Sequence, residues 1–212
     1  MKKLVLIIMA MALVMPATVS AQNKTLEKAL KKEYKSKMKE YKKEGWKIFG
    51  TSRSLDVALL KHYEKLDAMG DDGMEVVGTA KFKSKNVGNQ MALNNACNEY
   101  ARMAGSHVKG RIVGDMASDG VDPEAEFDKF YAAYEAQVEK EIKGEMQKSY
   151  SVIRELGNGT FEMQTFFIVN ESAASKARIR AYENAAKESA AAQKYASKVS
   201  EFIKEGFKAE QE

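Results

Sequence analysis

The stretch Met74-Glu75-Val76-Val77-Gly78-Thr79-Ala80-Lys81-Phe82-Lys83 sets the pattern for the rest of the chain. Met74, Val76, Gly78, Ala80 and Phe82 fall on one side of an extended backbone, and Glu75, Thr79, Lys81 and Lys83 on the other. That alternation describes a strand with one buried face. After Ser84 to Gly88 the period becomes helical, and Leu93, Ala96, Cys97, Tyr100, Ala101, Ala104 and Val108 share one stripe. Many of these residues are small, so the helix can lie close to a sheet whose facing residues include Gly78 and Ala80. Gly73 to Ile112, strand and helix together, is read as the nucleus of the core.

Working towards the amino terminus, Gly70-Asp71-Asp72-Gly73 is a turn into the strand. Before it Leu55, Ala58, Leu59, His62, Tyr63 and Leu66 form the apolar side of a helix that Ser54 can cap, with His62 read as a packed histidine at the edge of that side. Trp46 to Thr51 alternates as a first strand. The two strands would make a right-handed crossover if they were parallel neighbours. Thr25 to Glu44 is a lysine-rich helix with a narrow stripe of Leu26, Leu30, Tyr34, Met38 and Tyr41, ended by Gly45.

Towards the carboxyl terminus, Asp122-Pro123-Glu124 is a helix start, and Phe127, Tyr131, Tyr134, Val138 and Ile142 continue on one face. Ser149 to Leu156 and Thr160 to Asn170 read as a hairpin around Gly157-Asn158-Gly159. The second of these strands is apolar on both faces and is expected to be central. A last helix, capped by Ser172 and unbroken to about Glu205, carries a ridge of Ala174, Ala177, Ala181, Ala185, Ala192 and Ala196. The fold expected is α+β: a single domain over 46–212 with a small mixed sheet of about four strands covered by long helices, ending in the alanine-rich helix and preceded by the basic amphipathic helix at 22–45.

The opening residues have the order of a secretory signal over 1–21: Lys2 and Lys3, an apolar run from Leu4 to Met15, then Val19-Ser20-Ala21 before Gln22. The run is shorter than the roughly 20 residues a membrane-spanning helix needs. The expectation is an exported, soluble protein, periplasmic or released. No lipid-bearing cysteine stands at the cleavage point, because the one cysteine is Cys97. A single cysteine also forbids an internal disulfide. Without Lys2 and Lys3 the chain holds 32 basic and 30 acidic side chains, close to neutrality, yet Lys24 to Lys47 alone holds ten lysines against four glutamates.

Familiar chemistries have little to work with. A zinc site wants histidine and cysteine at spacings such as HExxH or CxxC, and His62, His107 and Cys97 offer none. On one helix Cys97 and His107 would stand ~15 Å apart, too far to share a metal or to act as a nucleophile and base. Cys97 is read as a buried small residue. A serine hydrolase would need a serine beside one of two histidines, and no GxSxG elbow is present. No glycine-rich phosphate loop occurs. Asp115 to Glu126 has part of the spacing of a calcium loop, with Asp119, Gly120 and Glu126 in place, but Ala117 occupies a ligand position, so no calcium is expected.

The segments Gly78-Thr79-Ala80, Ala92, Ala96, Tyr100-Ala101-Arg102-Met103-Ala104 and Thr165-Phe166-Phe167-Ile168-Val169 resemble envelope proteins of the LPP type, the bacterial surface-antigen lipoproteins, over the middle two thirds of the chain. That family's lipid-bearing cysteine is absent here. Trp46-Lys47-Ile48-Phe49-Gly50-Thr51 is closer to a stretch of uncharacterised exported proteins of Gram-negative bacteria. Neither resemblance implies a catalytic residue, a cofactor or a metal.

Two functions are expected from these features. The first is a non-enzymatic cell-envelope protein, structural or binding a protein partner or itself through helical faces. The alternative is a binding module for an anionic surface or polymer, through Lys28, Lys31, Lys32, Lys35, Lys39, Lys42 and Lys43. A carboxylate-dependent enzyme ranks third, and nucleic acid is not the expected partner. Amino-terminal sequencing of protein recovered from the envelope or the medium should begin at Gln22; a mature start at Met1 would overturn the export reading.

Overall fold

A computed structural model of the chain describes residues 15–116 and 123–207. The chain divides into two units, Met1–Gly45 and Trp46–Glu212. The first contains α1 (Met15–Glu44), which ends where Gly45 takes a φ of 74°. Within the described residues the helix is already present at Met15, ten residues before the expected Thr25, because nothing from Ala17 onward breaks it. It therefore runs through Ala21. The rest of the expected signal, residues 1–14, lies outside the described residues.

The second unit is built on β1 (Lys47–Phe49), β2 (Gly73–Phe82), β3 (Gln147–Gly157) and β4 (Thr160–Asn170), ordered β1-β3-β4-β2. Its helices are α2 (Leu55–Met69), α3 (Lys85–Met116), α4 (Pro123–Ile142), α5 (Glu171–Ala185), α6 (Ala190–Lys194) and α7 (Ala196–Glu205). The fold is α+β with four strands, as expected, but every strand pair is antiparallel, so the sheet is not mixed. β1 and β2 lie at opposite edges and cannot form the parallel crossover. β4 is central, pairing with β3 on one side and β2 on the other. The hairpin forms where the glycines place it: Gly157 pairs with Thr160, and Asn158 and Gly159 take φ of 52° and 68°, the two positive values a tight two-residue turn requires.

One face of the sheet receives α3. A Cβ added at Gly78 would lie 2.7 Å from the carbonyl carbon of Ala92 and 3.1 Å from the Ala96 Cβ, so the absence of a side chain sets the helix-to-strand distance. Ala92, Ala96, Tyr100, Ala104 and Ile112 are buried along the facing stripe. At Gly105 an added Cβ would meet the side chain of Glu135 on α4, which would have to move. α4 brings Phe127, Phe130, Tyr134, Val138 and Ile142 into the layer, α5 packs on α4, and α7 returns against α5 and α3.

The expected single carboxyl-terminal helix is broken. Asn170, not Ser172, caps α5, its side chain accepting from the Ala173 N–H at 3.3 Å. Ser189 then adopts an extended backbone and caps α6, accepting from Ala192 N–H at 3.2 Å. Serine offers the backbone a competing hydrogen bond and favours caps over helix interiors. The break lets Val199, Phe202 and Ile203 of α7 be buried in the same core as the alanine ridge.

Two glycines in this layer predict opposite outcomes. Gly78→Ala must push α3 off the sheet and should destabilise by about 1 to 3 kcal/mol or more. Gly110→Ala, inside α3 with open space around it, should stabilise by about 0.5 to 1 kcal/mol through helix propensity. Chemical denaturation of the two variants checks the pair, and a neutral Gly78→Ala would show that the close approach is not what holds the layers.

Candidate functional site at the bulge of β3

The other face of the sheet is covered in part by α2, which Ser54 caps by accepting from Val57 N–H at 3.3 Å. Ala58, Leu59 and His62 are its buried residues, and Lys65 ties it to β3 through Gln147 at 2.7 Å. His62 is packed, as its spacing suggested, against the rings of Tyr63, Tyr150 and Phe166. It is also fully engaged at both nitrogens. Nδ1 lies 3.0 Å from the hydroxyl of Ser149, and Nε2 is hydrogen-bonded to the carboxylate of Glu75 on β2.

Chemistry fixes the tautomer of a neutral imidazole in this setting. An ionised carboxylate only accepts, so Nε2 carries the proton and donates it to Glu75, while Nδ1 presents its lone pair to Ser149 O–H. Ser149 reaches that lone pair because of a bulge. Lys148 pairs with Phe167 and Tyr150 with Phe166, leaving Ser149 as the extra residue between them. A bulge bends the strand and re-aims the side chains at its two residues. Ser149 remains exposed, His62 has no exposed side-chain surface, and Glu75 keeps 37% of its own.

Ser149 opens into a pocket of about 250 Å³ whose lining includes Gly50, Thr51, Arg53, Lys61, Lys148 and Ser151. Among the described residues none of the three cations there has a carboxylate partner; Lys148 donates instead to the amide oxygen of Asn89 at 3.0 Å. Burial holds the Lys148 ammonium below the usual lysine range. A cation without an anionic partner is an arrangement that binding a negative charge would relieve.

Carboxylates gather in a second cleft of about 540 Å³ lined by Asp71, Asp72, Glu75 and Glu171 among others. Glu75 is held by His62, and Glu171 forms an ion pair with Arg178, whose guanidinium also donates to Tyr100 Oη at 2.6 Å. Burial would pull Arg178 down, but Glu171 and Tyr100 outweigh it and hold the guanidinium charged. Burial pushes Tyr100 up to about 12.

The seven lysines singled out on α1, namely Lys28, Lys31, Lys32, Lys35, Lys39, Lys42 and Lys43, are all exposed, and none lines either cleft. Half of the segment with part of a calcium-loop spacing, residues 117–122, lies outside the described residues, and its first member, Asp115, pairs with Lys198 at 2.8 Å. Among the described residues no group of three or more histidine, cysteine or acidic side chains is placed to hold a metal. No described helix is long and apolar enough to cross a membrane. Sequence reasoning missed Ser149, Glu75 and Lys148, because 87 residues separate His62 from Ser149 and 13 separate it from Glu75. No elbow motif announces the serine; a strand irregularity delivers it.

Cys97 is 1% exposed, and burial pushes its thiol up to about 11, against a smaller opposing effect of Lys143. The thiolate is the reactive form, so little of it exists at neutral pH. A thiol reagent at pH 7.5 should label the native protein slowly and the denatured protein at once; fast stoichiometric labelling of the native protein would contradict its burial.

No protein-family model matches the chain, and no curated protein or solved structure proved similar to it.

Proposed function

We propose that this is an exported cell-envelope protein that binds an anionic ligand, with the pocket at the β3 bulge as its binding site. The observation that carries the reading is the gathering of Arg53, Lys61 and Lys148 around one concavity with no carboxylate among their partners in the described residues. Thr51 and the exposed Ser149 line the same space. Together they suit a carboxylate, phosphate or sulfate group, which prefers several converging donors.

The reading through helical faces loses its main support. Ala174, Ala177, Ala181, Ala185 and Ala192 are buried in the core of their own unit, so this ridge is not left open to a second copy. The basic helix remains a second route to anions. Its seven lysines are exposed while Leu30, Tyr34, Met38 and Tyr41 are its less accessible side, the division of a helix that meets a charged surface.

Inorganic phosphate and succinate, titrated by calorimetry at low salt, test the pocket. Lys148→Met should weaken binding about tenfold, because a hydrogen bond to a charged group contributes about 1.5 to 3 kcal/mol. The same variant should not lower the thermal midpoint, since Lys148 is exposed and has no carboxylate partner among the described residues. Affinity should hold through neutral pH and fall on the alkaline side earlier than an ordinary lysine would dictate. The sign follows from the protonated ammonium being the binding form and from burial moving its titration downward. Equal affinity of Lys148→Met and the parent protein would refute this site.

A further inference from the structure

We propose that Ser149 is a catalytic nucleophile, that His62 is its general base, that Glu75 positions His62, and that the site cleaves small carboxylic esters bearing a negative charge. The substrate class rests on the anion-binding reading above. The nucleophile rests on the hydrogen-bond chain alone.

Nucleophile, base and orienting acid are recognised by mutual geometry and role, not by sequence order. All three roles are filled here. The hydroxyl is exposed on the pocket and the base is buried behind it. The orienting carboxylate fixes the proton on the far nitrogen of the ring, leaving the near nitrogen free to accept. Use of Nδ1 for the serine and Nε2 for the acid reverses the familiar assignment of the two nitrogens without changing the chemistry, since either nitrogen is a base when the other holds the proton. The ring cannot swing away, because Tyr150 and Phe166 meet it edge-on at centroid distances of 5.3 and 6.0 Å. A histidine kept for packing alone has no need of an exposed partner, yet its second nitrogen reaches the one residue that the bulge adds to the strand.

In the reaction Ser149 Oγ forms a bond to the ester carbonyl carbon as its proton passes to His62 Nδ1. The negative charge that develops on the carbonyl oxygen meets the positive charges of Arg53 and Lys61, which line the same pocket. Collapse breaks the bond to the alcohol oxygen, which leaves with the proton from His62. Water then attacks the acyl-serine, gives one proton to His62 and releases the acid, and the proton returns to Ser149. The sum is ester plus water giving acid plus alcohol, with no other reactant.

The test uses the full chain and a fluorophosphonate, which forms a serine oxygen to phosphorus bond as fluoride leaves. Intact-protein mass spectrometry should show one adduct, mapped to Ser149 and absent from Ser149→Ala. Ser36→Ala, which alters an exposed hydroxyl of α1, should label like the parent. Glu75→Gln should keep its thermal midpoint but react about 100-fold more slowly with an altered pH profile, as loss of the tautomer-fixing carboxylate demands. No adduct on the parent protein, or one that persists in Ser149→Ala, overturns the nucleophile; parent-like reactivity and pH profile in Glu75→Gln overturn the positioning role. A 4-nitrophenyl half-ester of succinic acid should be cleaved with kcat/KM about tenfold above that of 4-nitrophenyl acetate, the value of one added charge-assisted hydrogen bond. Equal values overturn the substrate class, and phosphate titration then shows separately whether the anion-binding reading falls with it.

Discussion

The contact on which the rest of the second unit depends is the one made by a missing side chain, at Gly78. With only hydrogen there, the backbone of α3 at Ala92 rests directly on β2, and Ala92 and Ala96 are fully buried. β2 is an edge strand, and its outward carbonyls have no ladder to join. The close approach answers part of that deficit, because Asn95 reaches from α3 to the Thr79 carbonyl at 2.7 Å. One glycine thus brings the layers together and lets a side chain of the covering helix satisfy the edge of the sheet.

Close approach has an opposite cost. Small residues bury little apolar area, about 25 cal/mol for each Å² removed from water, so a core of alanines is weak unless larger groups fill in around it. α4 supplies them with Phe127, Phe130 and Tyr134, and the break in the carboxyl-terminal helix brings Phe202 and Ile203 back over the same layer. Arg178 occupies the remaining depth with 2% exposure, paired with Glu171 and bonded to Tyr100. Removing one partner of such a pair strands a charge in the interior, which costs about 3 to 5 kcal/mol in comparable cases. The arginine therefore fixes how α3 and α5 sit together more than it adds net stability.

Much of this architecture is legible in the chain. The alternation over Met74 to Phe82, the stripe from Ala96 to Val108 and the Gly157-Asn158-Gly159 turn are local signals, each read from neighbours a few residues apart. Strand order is not local. Only the pairing of β2 with β4, tens of residues later, puts β1 and β2 at opposite edges and makes the sheet antiparallel. The break in the last helix is hidden for a related reason: fifteen helical residues followed by alanines look continuous, whereas the Ser189 cap competes successfully because turning back buries Val199, Phe202 and Ile203. The candidate site was the least legible part. His62 looks like one more residue of an apolar stripe until β2 and β3 place Glu75 and Ser149 on its two nitrogens.

The division of labour between the two faces explains why that site lies where it does. On the α3 face Gly78, Ala92 and Ala96 bring helix and strand into direct contact. On the opposite face α2 covers β2 and β3, and β1 is only three residues long, pairing with Ile153, Val152 and Ser151 and no further. At Gly50, with φ of 74°, the chain turns away from β3 just before the bulge. A longer β1 would have paired along Lys148 and Ser149 and closed the space; the early turn leaves that edge open and lets Thr51 and Arg53 line it instead. The pocket is therefore the product of two irregularities that meet, a strand that stops early and a neighbour that carries one residue too many.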